Sequence, residues 1–215
     1  MTKYIIGYID EQEGERSDFA NLITEDDSLD IKLFDVDRDT VFEKLIDEIL
    51  ESNIDCLVVD YHLSDAGVQF EGSNIIEEIH KIRPFFPKII YTAKEDKVIP
   101  VVENEIIYMI NDKSIKGDSD RCKNFRQKIK TLINNYNTDV SKSLESLETL
   151  KDKKRNGANL TIEEESELFK CKKFLMSVDT RIISNPEILN EKEYVEELRE
   201  TNNKLDEILL KIRNS

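Results

Sequence analysis

Three carboxylates, a hydroxyl and an ammonium stand at the ends of apolar segments in the first half of this 215-residue chain. Asp60 closes the run Ile54-Asp55-Cys56-Leu57-Val58-Val59, and Asp10-Glu11 follows Tyr4 to Ile9. Thr92 closes Lys88-Ile89-Ile90-Tyr91, and Lys113 comes shortly after Ile106 to Ile110. Short apolar runs rich in β-branched residues read as buried strands. In open α/β sheets, ligands bind beyond the carboxyl ends of the strands. If these strands are parallel, all five groups meet at one sheet edge. Carboxylates and an ammonium arranged in that way can hold a divalent cation and a phosphoryl group.

The segments between the strands must supply the crossovers. Gly14 to Ile23 reads as a helix with Phe19, Leu22 and Ile23 on one face. Ile31 to Val36 reads as a further strand, and Thr40 to Glu51 as a helix built on Val41, Leu45 and Ile49. Ser73 to Ile82 is expected to be helical with Ile75, Ile76, Ile79 and Ile82 inward, stopped by Pro84. Pro100 shortens any helix between Ala93 and Glu105. Alternating strands and helices imply a parallel sheet covered on both faces.

Beyond Gly117 the pattern changes to long polar helices. Ile129, Ile133, Tyr136, Val140, Leu144 and Leu147 recur at intervals of three and four from Ser119 to about Lys154. Asn156-Gly157 breaks that helix, and Thr161 with Glu164 is a capping-box signature for a second one through Phe169, Leu175 and Ile182. Asn185-Pro186 interrupts it. Ile188, Val195, Leu198, Leu205, Leu209 and Ile212 form a heptad pattern, with Asn202 in a core slot where a buried amide can fix register.

The net charge is -15, most of it in the front two thirds. With no basic stripe, the chain is disfavoured as a DNA binder, which needs Lys and Arg to displace phosphate counterions. The basic run Lys151-Asp152-Lys153-Lys154-Arg155 reads as a helix-end cap. Cys56, Cys122 and Cys171 are scattered without metal spacing, as expected of reduced thiols in a cytoplasmic protein. No signal-peptide core and no apolar stretch of membrane-spanning length is visible.

Taken together, Asp10-Glu11, Asp60, Thr92-Ala93 and Lys113 resemble the phospho-accepting receiver domain of two-component response regulators, over residues 1–130. The resemblance implies a flavodoxin-like fold: a doubly wound, five-stranded parallel sheet in the order 2-1-3-4-5. It also implies that Asp60 accepts a phosphoryl group from a histidine kinase in a Mg²⁺-dependent reaction. Glu11, Asp60 and the backbone carbonyl of His62 would contact the metal, with Asp10 acting through water. Thr92 and Lys113 would bind phosphoryl oxygens, and His62 would tune the lifetime of the phosphorylated state. Catalysis would be confined to self-phosphorylation and dephosphorylation. The chain departs from the family at three places. Ser114 replaces a customary proline, Ile110 stands where an aromatic switch residue is usual, and the loop from His62 to Gly72 is long.

Residues 131–215 are expected to form a helical bundle or coiled coil, its first helix continuous with the last receiver helix. His62 and His80 are the only histidines, and His80 reads as a surface residue. The tail therefore carries no phospho-accepting histidine of its own. The expected output is a protein partner or a second copy of the chain bound through the tail, a homodimer included. The alternative is a degenerate receiver acting as a constitutive scaffold, or a phosphate sink without a switched output.

Overall fold

The computed structural model describes residues 3–92, 110–115 and 117–178. Five parallel strands form one sheet in the order β2-β1-β3-β4-β5. They are β1 (Tyr4–Ile9), β2 (Leu29–Phe34), β3 (Cys56–Asp60), β4 (Lys88–Thr92) and the three-residue β5 (Ile110–Asp112). The described crossovers are α1 (Glu13–Thr24), α2 (Phe42–Glu51) and α3 (Gly72–Ile82). The chain returns to α4 (Ser119–Arg155) and then α5 (Ile162–Met176). The sheet is doubly wound in the expected order, a receiver-like fold.

β3 and β4 are buried along their whole length, as strands covered on both faces must be. Under one face lies a core of Ile6, Tyr8, Phe19, Ile23, Val58, Tyr91, Phe125 and Ile129. Within it Tyr8 stacks on Phe19 with centroids 3.8 Å apart, and Tyr91 stacks on Phe125 at 5.1 Å. Polar clasps pin the first half of α4 to the end of α1. Arg126 Nη1 donates to Leu22 O at 2.8 Å and meets Glu25 at 2.7 Å, and Lys130 Nζ lies 2.6 Å from Asp26.

Several boundaries differ from expectation. The second strand starts at Leu29 rather than Ile31, because its ladder with β1 runs from Tyr4↔Leu29 to Ile9↔Phe34. The exposed Asp30 interrupts the apolar pattern and hid its start. Ile82, expected inward, is 44% exposed in the last helical residue before the chain turns at Arg83. His80 is half-buried rather than on the surface. Residues 106–109 of the expected fifth strand and all tail residues from Asp179 onward, Ile182 and Asn202 among them, lie outside the described residues.

The chain divides into two compact units, Met1–Thr138 and Asp139–Ser215. In the second unit Leu147, Leu150, Leu168, Cys171 and Leu175 are buried. α4 ends where expected: Gly157 takes a left-handed φ of 77°, and its N–H donates to Lys154 O at 3.0 Å. The capping box is present as well. Glu164 N–H donates to Thr161 Oγ1 at 3.3 Å, and Thr161 N–H donates to Glu164 Oε2 at 2.9 Å. Lys153 Nζ reaches the same Glu164 carboxylate at 2.6 and 2.7 Å, so the basic run does close a helix end. Among the described residues, no helix is long and apolar enough to cross a membrane.

Candidate functional site

Strand register brings the acidic residues together. Ile9 pairs with Val59, so Asp10 and Asp60 leave the sheet side by side. Asp60 pairs with Tyr91, and Thr92 with Asp112, which puts the Asp60 carboxylate, the Thr92 hydroxyl and the start of the Lys113 turn at one edge. Carboxylate oxygens of Asp10, Glu11 and Asp60 all lie within 4.8 Å of one another. Asp10 is fully buried, Asp60 is 6% exposed and Thr92 is 1% exposed.

Lys113 joins the two aspartates. Its Nζ lies 2.6 Å from Asp10 Oδ2 and 2.8 Å from Asp60 Oδ1, with Glu15 Oε2 at 3.5 Å. Burial alone would lower its pKa, but the charges and hydrogen bonds of Asp60 and Asp10 outweigh that and raise it. The Asp60 carboxyl is pushed up to about 6. Burial is the main cause and the charges of Asp10 and Glu11 add to it, while Lys113 pulls the other way.

Each remaining carboxylate oxygen has a distinct environment. Asp10 Oδ2 also accepts from the Tyr8 hydroxyl at 2.6 Å, and Asp10 Oδ1 accepts from Gln12 N–H at 2.9 Å. The Asp10 carbonyl accepts from Arg16 Nη1 at 2.7 Å. Glu11 Oε1 takes the Gln12 amide at 3.0 Å, whereas Glu11 Oε2 is buried and no described donor reaches it. A buried carboxylate oxygen without a donor carries a desolvation cost that a cation relieves. That oxygen, together with two neighbouring carboxylates and no sulfur, fits a hard divalent ion such as Mg²⁺.

Asp60 Oδ2 accepts from His62 N–H at 3.0 Å, which ties the chain after Asp60 back onto its carboxylate. The His62 ring sits edge-on to Tyr61, and its Nε2 is buried without a described partner. The long loop is anchored from its far end. Leu63 N–H donates to Glu71 Oε2 at 2.9 Å, and Glu71 N–H donates to Asn74 Oδ1 at 2.9 Å. Gly72 packs so closely against Asp60 that a Cβ there would collide with the Asp60 carbonyl oxygen. Both ends of the loop are thus tied down beside Asp60.

The structure brings together Asp10, Glu11, Asp60 and Lys113, and puts Thr92 and His62 at the same edge. Sequence reasoning missed Tyr8, Glu15, Arg16 and Asp112. Tyr8 was findable, because residues two apart on a strand share a face. Asp112 closes the Lys113 turn: its Oδ1 accepts from Ser114 N–H at 2.8 Å, its Oδ2 takes the Ser114 hydroxyl, and Arg121 lies 3.1 Å away. Glu15 and Arg16 reach the site from the first turn of α1, which no spacing rule in the sequence reveals.

No protein-family model and no curated protein matches the chain. Solved structures do. A signal receiver domain of an HD domain-containing protein from Pseudomonas fluorescens Pf-5 is 20% identical, with a TM-score of 0.48 over 61% of this chain and 90% of that one. The RcsB response regulator of Salmonella typhimurium is 13% identical, with a TM-score of 0.47 over 90% of this chain and 99% of that one. Neither likeness is close enough to bear on the chemistry of the site.

Proposed function

We propose that the chain is a phospho-accepting response regulator. The observation that carries this reading is the clustering of Asp10, Glu11, Asp60 and Lys113 at the carboxyl edge of the sheet, beside Thr92. A carboxylate oxygen of Asp60 attacks the phosphorus of a phosphohistidine on a histidine kinase. The P–N bond breaks, its electron pair leaves with the imidazole, and the imidazole takes up a proton from solvent. Glu11, Asp60 and the His62 carbonyl would hold a Mg²⁺ ion directly and Asp10 through water, and the ion would supply the positive charge that lets two anions approach. Lys113 exchanges a carboxylate partner for a phosphoryl oxygen. Thr92 donates its hydroxyl to another. His62, two residues after Asp60, governs how fast water removes the phosphoryl group. α4 belongs to both units, so a shift of that helix is the route by which phosphorylation would alter the helical output module.

A second reading has its own observation. Lys113 already neutralises Asp10 and Asp60 from within. An internal ammonium of that kind suits a degenerate receiver that serves as a scaffold without a bound cation.

Intact mass after incubation with Mg²⁺ and a small phosphodonor or a phosphorylated kinase separates the two. The expected result is one phosphoryl adduct on the wild type, none on Asp60→Asn, and an altered decay rate on His62→Asn. Absence of an adduct with every donor would leave the scaffold.

A further inference from the structure

Asp10 Oδ2 receives two donors that differ in kind. One is the Lys113 ammonium, which also holds Asp60 and, on the reading above, must leave for a phosphoryl oxygen. The other is the Tyr8 hydroxyl, which has no such duty. Tyr8 is fully buried, its ring is stacked on Phe19 at 3.8 Å and set edge-on to Tyr91 at 6.4 Å, so its hydroxyl cannot swing away.

We propose that Tyr8 is a positioning residue for the cation site: its hydroxyl holds the Asp10 carboxylate in place when Lys113 is drawn to Asp60 or to an incoming phosphoryl group. This inference rests on the receiver reading and deepens it. Partners that orient ligands around a metal typically change its affinity by tenfold or more when removed. A carboxylate whose two oxygens are already engaged by Tyr8, Lys113 and Gln12 suits a water-mediated role, leaving Glu11 Oε2 and Asp60 for direct contact.

Tyr91 supplies the control. It lies in the same aromatic stack and is equally buried, yet no described partner reaches its hydroxyl. Removing either hydroxyl changes the stack alike, but only Tyr8→Phe removes a donor to Asp10.

Calorimetric titration of the full chain with MgCl₂, for wild type, Tyr8→Phe and Tyr91→Phe, is the test, with circular dichroism to verify folding. The expected result is Mg²⁺ affinity weakened on the order of tenfold in Tyr8→Phe and unchanged in Tyr91→Phe. The adduct rate in Tyr8→Phe should recover at saturating Mg²⁺, a split that mere loss of stability would not give. Wild-type affinity in Tyr8→Phe overturns the proposal, as does equal weakening in both variants or no Mg²⁺ binding by the wild type. Failure of the receiver reading shows separately, as a wild type that binds Mg²⁺ but forms no adduct.

Discussion

Two lysines, Lys88 fully buried and Lys113 largely so, lie at opposite ends of the same sheet, and their surroundings could hardly differ more. Lys113 stands at the carboxyl edge, faced by Asp10, Asp60 and Glu15, with its pKa raised. Lys88 opens β4 at the amino edge, fully buried, and faces no carboxylate partner among its hydrogen bonds. Its Nζ donates to the carbonyls of Pro84 at 2.9 Å, Phe86 at 3.0 Å and Arg83 at 3.3 Å. Burial lowers its pKa to about 8. Backbone dipoles satisfy an ammonium without giving it a reaction partner; carboxylates give it both. The carboxyl edge collects charge for chemistry, and the amino edge uses charge to close a turn.

The largest expected effect comes from breaking the carboxyl-edge lysine. Lys113→Met should slow adduct formation by about a hundredfold or more, the order seen when a donor to a reacting centre is removed. It should also lower the melting temperature at pH 7.5, because two buried carboxylates lose their cation. That loss should shrink at pH 5. With Lys113 gone, the proton affinity of Asp60 rises further, so a proton replaces the ammonium as pH falls.

Lys88→Met should do the reverse. Three turn carbonyls lose their donor, costing about 2 kcal/mol in denaturant unfolding, while the adduct rate stays at the wild-type value. The folded pKa of Lys88, about 8, lies below its ordinary 10.5. Its contribution to stability is therefore present above the ordinary value and lost as pH falls through about 8. The stability gap between wild type and Lys88→Met should thus widen from pH 7 to pH 10. A slower adduct rate in this variant would break the division between the two edges.

Asp60→Asn removes the adduct, and its effect on stability is the smallest of the three. The carboxyl of Asp60 is raised from 3.8 to about 6, so its contribution to stability is present below about pH 4 and lost as pH rises through 6. Without Mg²⁺, the variant should be more stable than wild type at pH 7.5, with no gain at pH 4. An equal gain at both pH values would show that repacking, and not the buried charge, is responsible.

Much of this was legible in the chain. Apolar runs ending in Asp10-Glu11, Asp60 and Thr92 gave the strand ends, because a carboxylate closing a buried run has few other uses. Gly157 and the Thr161–Glu164 box marked helix ends correctly, since both signals act within four residues. The start of β2 failed for the opposite reason: Asp30 is tolerated where its side of the strand is open, and only pairing with β1 reveals that.

Residue types and their order determined the parallel sheet and which side chains could gather at its edge, because strand periodicity and turn chemistry are local. Tertiary structure decided what each charge meets. That Lys113 meets Asp10, Asp60 and Glu15 depends on strand register and on elements from distant parts of the chain, whereas the Tyr8–Asp10 bond and the Lys88–carbonyl bonds join near neighbours. The Lys113–Asp10 contact joins residues 103 positions apart, and no local pattern encodes it.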